Sequence, residues 1–201
     1  MLIEHAGKRP QVDDAAWVAP DATVCGDVVI RAGARVLHGA RLVGETGGSI
    51  LIGRNCIVME NAVLRATGRH PLSIGDHCLI GPSAHVVGAR LEDQVFVATG
   101  AAIFHGAVLG RGAEVRVHAI VHLRTRLEPG ATVPLGWIAV GDPARILPPD
   151  RHDDIWAVQA PLNFPRWVYG LDRDTPDLMV QVTRRLSEAL GAHGQDVAVD
   201  S

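Results

Sequence analysis

The chain has 201 residues, a formal net charge of −3 and a pI of about 6.3, which excludes the basic field expected of a nucleic-acid-binding protein. No run of about 18 apolar residues is present, and the opening MLIEHAGKRP lacks an apolar signal region, so we expect a cytoplasmic protein that does not enter a membrane. Three cysteines in unlike contexts do not form a disulfide framework.

A large aliphatic residue recurs at every sixth position from residue 24 to residue 133. The spacing departs from six at three steps, two of ten residues and one of five. These positions are Val24, Ile30, Val36, Leu42, Ile52, Val58, Leu64, Ile74, Ile80, Val86, Leu91, Val97, Ile103, Leu109, Val115, Val121, Leu127 and Val133. A small residue, most often Ala, follows four positions after most of them. This double period fits neither an amphipathic helix nor a simple alternating strand.

The double period predicts an all-β solenoid, a triangular parallel β-helix in which each coil contains three six-residue units. The large aliphatic side chain fills the prism, and the small residue fits where the chain turns a corner. We expect six coils, stacked about 4.8 Å apart by hydrogen bonds between neighbouring strands. Cys56 and Cys78 hold the small position on consecutive coils, so we expect both thiols to be structural.

Two insertions interrupt the repeat, GETGGS at 44–49 and ATGRHPL at 66–72. Because the prism has no room for additional residues, we expect both to bulge outward as loops, where functional sites tend to lie. Beyond the last coil the period changes. We expect a β-helix domain over 1–148, a helical segment over 149–191 and a disordered tail over 192–201.

The end of the helical segment carries the pattern of an amphipathic α-helix. Thr175 is the expected N-cap, Pro176 the first helical residue and Gly191 the end. One apolar face is expected to pack along the β-helix, and it is formed by Leu178, Val182, Leu186 and Leu190.

Residues 12–150 resemble the γ-class carbonic anhydrases, left-handed parallel β-helices of the hexapeptide-repeat superfamily. The resemblance lies in PDATVCGDVVIRAGARV, SILIGRNCIVMENAVLR, PLSIGDHCLIG, the five-residue step at 86–91 and the closing VGDPARI. The last of these is shared with hexapeptide acyltransferases. The resemblance implies a left-handed helix, although most parallel crossovers are right-handed, and it implies a homotrimer.

In that family three histidines bind zinc between subunits of the trimer. The resemblance carries these ligand positions onto Arg65, Pro82 and Val87, none of which is a usual zinc ligand. We therefore expect no metal at the inherited site and no ordinary carbonic anhydrase activity.

Two neighbouring motifs of the family also differ here. The family's LRGD motif reads LVGE, which places Val43 and Glu45 there, and NIQD reads IVME, which places Met59 and Glu60. Arg65, Glu60 and Glu45 are the candidate catalytic residues, with a glutamate as general base. A guanidinium binds carboxylate or phosphate through paired hydrogen bonds, so Arg65 is expected to orient a small anionic or polar molecule. An Arg–Glu pair that only holds the trimer together is the structural alternative.

His85 stands between two of the lost ligand positions. It directly precedes the inward Val86, and we expect it at a corner off the face that carried the zinc. Met59 and His85 complete the candidate substrate-binding residues with Arg65, although a scaffold or surface role for His85 is the simpler interpretation.

A metal could instead have moved along the prism. His122 lies two coils beyond Val87 on the same face, His118 lies two coils beyond Pro82 on the adjoining one, and His105 points near this region. Histidines of neighbouring subunits could meet there and bind a divalent ion. Against this, VRVHAIVHLR alternates like any solvent-facing strand, and its arginines repel a cation.

The sequence thus favours a γ-carbonic-anhydrase-like trimer with an interfacial pocket for a small, anionic ligand and lyase-type or other acid–base chemistry. The alternatives are a structural or assembly protein without catalysis, an enzyme with a relocated metal, and a hexapeptide acyltransferase. The last is disfavoured because no long loop or histidine base suited to a CoA thioester is evident.

Overall fold

A computed structural model describes residues 1–199, and it shows a parallel β-solenoid followed by a short helical region, as predicted. Each coil contributes one short strand to each of three sheets. The strands are β1 Leu2–Glu4, β2 Gln11–Val12, β3 Trp17–Val18, β4 Thr23–Cys25, β5 Asp27–Ile30, β6 Arg35–Val36, β7 Arg41–Gly44, β8 Ser49–Ile52, β9 Ile57–Val58, β10 Val63–Ala66, β11 Leu72–Ile74, β12 Leu79–Ile80, β13 His85–Val87, β14 Arg90–Leu91, β15 Phe96–Val97, β16 Ala102–Ile103, β17 Val108–Leu109, β18 Glu114–Val115, β19 Ile120–Val121, β20 Arg126–Leu127, β21 Thr132–Val133, β22 Ile138–Val140, β23 Arg145–Leu147 and β24 Val197–Val199.

Within the solenoid, each strand is hydrogen-bonded to the strand three places further along the chain. The first sheet runs β23-β22-β19-β16-β13-β10-β7-β4-β1-β24, the second β2-β5-β8-β11-β14-β17-β20, and the third β21-β18-β15-β12-β9-β6-β3. Val24 pairs with Leu42, 18 residues on, whereas Leu42 pairs with Leu64, 22 residues on, because the insertion at 44–49 lengthens that coil. Both insertions loop outward, as expected.

The interior of the prism is the predicted aliphatic ladder. All eighteen aliphatic positions are 2% exposed or less, and Cys56 and Cys78 are buried among them. Burying side chains of this size is the main favourable term in folding. The repeat extends further than expected, since β1–β3 form a coil before Val24 and β22 begins another after β21. There are thus seven complete coils and the start of an eighth, where six were predicted.

The C-terminal region contains three α-helices, α1 His152–Gln159, α2 Phe164–Tyr169 and α3 Leu178–Leu190. Short 3₁₀ segments follow at Ala160–Leu162 and Gly191–Gln195. Ile155 of α1 packs on Ile138 and Val140 of β22, so the helices continue from the end of the first sheet. The last strand before the helices, β23, ends at Leu147, and α1 begins at His152. The expected boundary between the β-helix domain and the helical segment, at residue 148, lies between them. None of the helices within residues 1–199 is long and apolar enough to cross a bilayer.

Helix α3 begins later than the sequence predicts. Asp177, not Thr175, is its N-cap, and the left-handed conformation of Asp177, with φ of 51°, separates the preceding turn from the helix. Val182 is buried, whereas Leu186 and Leu190 on the same face remain about 38–39% exposed. The expected apolar face is therefore only half covered in the single chain.

The prediction of a disordered tail is wrong for residues 192–199. Strand β24 pairs antiparallel with β1, with Leu2 opposite Val199, and so extends the first sheet. The physical reason is that the edge of β1 offers free backbone partners, which the sequence repeat gave no means of seeing. Residues 200 and 201 lie outside the described part of the chain.

Candidate functional site

The positions matched to the family's zinc ligands include two neighbours in the first sheet. Arg65 of β10 pairs with Val87 of β13 on one side and with Val43 of β7 on the other. Val87 is an apolar, buried side chain, and Pro82, in the turn after β12, has no side-chain donor atom. Because the third residue is a permanent cation, this set does not fit a zinc ion.

Arg65 and Glu45 are brought together within one chain. Nη2 of Arg65 lies 2.6 Å from Oε1 of Glu45, and the Arg65 side chain is 40% exposed while that of Glu45 is 13% exposed. The first insertion creates this pair, since it carries Glu45 out of the prism beside β10, where its backbone N–H donates to the Ala66 carbonyl at 3.0 Å. The arginine is thus anchored on one side and open on the other.

Glu60 and Met59 lie at another corner of the coil. Both are half-buried in the turn after β9, where the Met59 N–H donates to the Ile80 carbonyl. No ion pair joins Glu60 to Arg65 within residues 1–199 of a single chain. Their predicted meeting needs a neighbouring subunit and stays a prediction.

His85 lies on the face that carries Arg65, so its expected position off that face is wrong. In β13 the side chain of Val86 points inward and is fully buried, and the two residues beside it, His85 and Val87, therefore point outward. Burial and the positive charge of Arg65 lower the pKa of His85, which keeps its imidazole neutral at pH 7.

His105 belongs to a cluster of aromatic rings that borders this face. Its ring centroid lies 4.9 Å from that of His70, and His70 lies 5.3 Å from Trp167 of α2. Burial, followed by the charges of His70, His85 and Arg65, lowers the pKa of His105 to about 4. Within the described residues, Nδ1 of His105, Nε2 of His70 and Nε1 of Trp167 are buried without a hydrogen-bond partner.

The sequence interpretation missed His70 and Trp167. His70 stands in the second insertion, where a site was expected, but only the fold shows that it faces His105. Trp167 comes from the helical segment, and its ring also contacts Arg124, whose guanidinium carbon lies 4.8 Å from the ring centroid. Nothing local in the sequence links these residues.

The three histidines predicted to bind a relocated metal lie apart from one another within one chain. His122 lies beside Phe104, with ring centroids 6.3 Å apart, and burial lowers its pKa. His118 is exposed at a corner, where its ring lies close to Gly100. Among residues 1–199 of one chain, His122, His118 and His105 form no common group of ligands. A metal shared between subunits at these residues stays a prediction.

A different cluster lies behind Glu45, where the tail meets the first two coils. Nδ1 of His5 is 2.6 Å from Oδ1 of Asp196, and Nδ1 of His193 is 2.8 Å from Oδ2 of the same carboxylate. The two imidazole rings stack, with centroids 4.2 Å apart. Cys25 completes the group, since its Sγ lies 3.7 Å from Oδ2 of Asp196. We refer to His5, Cys25, His193 and Asp196 as the tail cluster.

The tail cluster was not foreseen from the sequence. Its members come from the turn after the first strand, the second coil and a segment expected to be disordered, so no spacing motif connects them. Burial, followed by the charge of Asp196, raises the pKa of the Cys25 thiol to about 12. The hydrogen bond to Asp196 raises the pKa of His193, and Glu45 adds to that effect.

A pocket of about 290 Å³ opens beside the tail cluster. Its polar lining includes His5, Lys8, Asp27, Glu45 and Thr46, with the glycines of the first insertion forming one wall. Arg65 lies outside this lining and reaches it only through Glu45. Glu45 therefore stands between two polar regions, the Arg65 face and the tail cluster.

Comparison with known proteins places these residues in a family context. Residues 71–105 match the family model described as the hexapeptide repeat of succinyl-transferase. The chain is 34% identical to gamma carbonic anhydrase 1, mitochondrial, of Arabidopsis thaliana over 152 residues. The aligned region covers 73% of this chain and 53% of that protein. The chain thus spans about half the length of the curated relatives that it matches.

Two further similarities concern other functions. The carboxysome assembly protein CcmM of Synechococcus elongatus is 32% identical over 166 residues, which cover 76% of this chain and 30% of that protein. A solved putative acetyltransferase from Bacillus cereus superposes with a TM-score of 0.62 at 20% identity, over 78% of this chain and 89% of that one. At that identity the structural likeness shows the fold alone.

Proposed function

Since this chain belongs to the γ-carbonic-anhydrase-like hexapeptide-repeat proteins, we propose that it binds a small anion at the inherited crevice through Arg65, without zinc. The crevice lies between subunits of a homotrimer, and the bound molecule undergoes lyase-type or other acid–base chemistry. The observation that carries the proposal is the half-engaged guanidinium of Arg65, paired with Glu45 yet 40% exposed.

The hydrogen-bond donors of the Arg65 guanidinium suit it to binding an anion. It has five N–H groups in a rigid fork, and the Glu45 carboxylate engages one terminal nitrogen at 2.6 Å. The exposed edge can donate to a second carboxylate-like group. Because Glu45 is mostly buried, the pair holds the guanidinium in place and reduces the entropy lost when an anion binds.

Neutral histidines beside Arg65 supply the acid–base groups. The pKa values of both His85 and His105 are lowered, so both imidazoles are neutral near pH 7 and can accept a proton. The unpartnered Nδ1 of His105 and Nε2 of His70 offer polar contacts that a ligand or a neighbouring subunit can complete. Glu60, from a neighbouring subunit, is the further candidate base.

An apolar strip supports assembly into a trimer. Three adjacent strands of the third sheet, β9, β12 and β15, present Ile57, Leu79 and Phe96 outward in register. Ile57 is 39% exposed in the single chain. Burying such a strip against the first sheet of a neighbour would bring Met59 and Glu60 towards Arg65 of the adjacent subunit.

Hydration of CO2 in the manner of a zinc enzyme is not expected. Zinc acts there by lowering the pKa of its bound water to about 7, and a guanidinium has no equivalent effect on water. No zinc ion would be held at the matched positions, because Arg65, Pro82 and Val87 supply no zinc ligands.

Bicarbonate titration tests the proposal. Calorimetry or ¹³C NMR should detect binding to the wild-type protein, and Arg65→Ala should weaken it about tenfold to a hundredfold, since a hydrogen bond to a charged group contributes about 1.5–3 kcal/mol. Arg41→Ala is the matched control, because Arg41 is exposed on the neighbouring strand β7 of the same sheet. Equal affinities for the wild type and Arg65→Ala would refute the anion site.

A structural or assembly role is the second candidate. It is favoured by the Arg65–Glu45 ion pair itself, which already neutralises the arginine, and by the similarity to an assembly protein. In that case Arg65→Ala should weaken the trimer, measured by its dissociation on dilution, and no anion should bind. An acyltransferase activity has in its favour the shared fold and the match of residues 71–105 to a succinyl-transferase repeat, neither of which identifies an acyl-transfer site.

A further inference from the structure

We propose that His5, Cys25, His193 and Asp196 form a binding site for a divalent metal ion, which by its donor set is zinc. This tail cluster lies apart from the three positions of the inherited site. Among residues 1–199 it is the one group of three or more His, Cys, Asp or Glu residues whose ligand atoms all lie within 4.8 Å of one another.

One of the three donor distances around Asp196 matches a tetrahedral site, and the other two are shorter because they are hydrogen bonds. Zinc–nitrogen and zinc–oxygen bonds of about 2.0–2.2 Å and zinc–sulfur bonds of about 2.3 Å place neighbouring ligand atoms about 3.3–3.8 Å apart. Sγ of Cys25 is 3.7 Å from Asp196, and the two imidazole nitrogens are 2.6 and 2.8 Å from its oxygens. Small outward shifts of His5 and His193 would therefore admit the ion.

The outward-facing nitrogens of both imidazoles already have the partners that metal-bound histidines use. Nε2 of His5 lies 3.1 Å from Oγ1 of Thr46, and Nε2 of His193 lies 3.0 Å from Oε2 of Glu45. Donating Nε2–H to these oxygens leaves the lone pair on Nδ1, the atom that faces Asp196 and Cys25. Such outer hydrogen bonds fix the tautomer and the ring orientation of a ligating histidine.

The chemistry of the donors selects the metal. One thiolate, two imidazoles and one carboxylate form a mixed set of the kind that zinc accepts, whereas calcium and magnesium prefer oxygen alone. The thiolate and the carboxylate together neutralise a divalent charge. This matters because His5 and Cys25 are buried, at 2% and 3% exposure, where an uncompensated charge is costly.

The origin of the ligands indicates what the ion would do. His5 and Cys25 belong to the first two coils, whereas His193 and Asp196 immediately precede β24, which pairs with β1. Four protein ligands close the coordination sphere, as in structural zinc sites. The ion would thus fasten the C-terminal segment to the start of the solenoid, and its binding would contribute to folding stability.

Metal analysis of the 201-residue chain tests this site. After zinc loading and dialysis, mass spectrometry should find about one zinc ion per chain, and Cys25→Ala should lose at least nine-tenths of it. Cys56→Ala is the matched control, since Cys56 is also buried and Ala occupies the same corner position in other coils. Asp196→Asn, which keeps the size of the side chain, gives a second variant should Cys25→Ala fold poorly, and it should weaken zinc binding at least tenfold.

Cobalt substitution identifies the ligands independently of activity. The cobalt(II) protein should show a near-ultraviolet thiolate-to-cobalt band that is absent from Cys25→Ala and present in Cys56→Ala. A protein that takes up no stoichiometric zinc and shows no such band would overturn the proposal, leaving a metal-free His–Asp–His clamp. Zinc lost in His122→Ala but kept in Cys25→Ala would also overturn it. Arg65→Ala should retain zinc, so the outcome is independent of the bicarbonate titration.

Discussion

At the scale of single residues, the surroundings of Arg65 determine what this side chain can bind. Arg65 pairs in the sheet with Val87 on one side and Val43 on the other, so its charge has apolar neighbours there. The carboxylate that balances this charge belongs to Glu45 in the insertion loop. An arginine held in this way attracts anions and repels metal ions. Burial lowers the pKa values of His85 and His105, and the charge of Arg65 adds to that effect, so both imidazoles are neutral near pH 7.

The depressed pKa of His105 gives a pH-dependent stability. In the unfolded chain His105 takes up a proton near pH 6.5, whereas in the folded chain it does so near pH 4, so stability falls as the pH drops between these values. Chemical unfolding at pH 7 and pH 5 should show a loss of about 1 kcal/mol from this residue, reduced from the full shift by its partial exposure to solvent.

The variant His105→Gln isolates this contribution. Its stability should fall less than that of the wild type between pH 7 and pH 5, because glutamine takes up no proton. The exposed corner residue His118 provides the control, and His118→Gln should preserve the wild-type difference. An identical pH dependence in the wild type and His105→Gln would contradict the assignment of His105 as a half-buried neutral base.

Part of the site could be predicted from the sequence at this scale. The resemblance places Arg65 and Glu45 on adjacent coils at the same crevice, and the structure joins the two as an ion pair. His70, Trp167 and the tail cluster could not be predicted, because their proximity depends on how the insertion and the C-terminal segment pack. A six-residue repeat fixes inward and outward positions but carries no information about segments that lie outside it.

At the scale of elements, the corners of the coils impose the strictest packing. Gly53 follows β8 at a buried corner, where a Cβ atom would lie 2.3 Å from the carbonyl oxygen of Gly75 in the next coil. Gly112 stands at an open corner with φ of +67° and has no atom within 4 Å of a built Cβ. Position 53 requires glycine because the next coil approaches closely, and position 112 requires it because its φ is positive.

These two glycines should respond differently to substitution. Gly53→Ala should lower the free energy of unfolding by about 3 kcal/mol or more, because the backbone of the next coil must shift. Gly112→Ala should cost about 1 kcal/mol, the strain of a left-handed alanine. Urea unfolding of both variants measures the difference, and equal losses would show that the coils are less tightly stacked than described.

The repeat predicted the solenoid well because each interior position must be filled by a side chain of one size. The tail was mispredicted because its strand, Val197–Val199, is short and largely exposed, and its order comes from pairing with β1 and from His193 and Asp196. Local composition says little about a segment that is ordered only by distant contacts.

At the scale of the whole molecule, the proposed anion site requires a trimer. The outward strip of Ile57, Leu79 and Phe96 and the half-covered face of α3 leave apolar surface exposed in the single chain. Light scattering should return about 64 kDa, three times the chain mass of 21.4 kDa. Ile57→Arg should increase the monomer fraction, because it places a charge in the strip. A wild-type monomer near 21 kDa would remove the interfacial crevice.

A crystal structure of the protein soaked with bicarbonate tests the central claim most directly. We predict a trimer in which an anion lies between subunits with its oxygens about 2.7–2.9 Å from the guanidinium nitrogens of Arg65. Glu45 of the same chain should remain paired with that arginine. A structure in which Glu45 and a neighbour's Glu60 together occupy the whole guanidinium, with no space for an anion beside it, would contradict the account and favour the structural role.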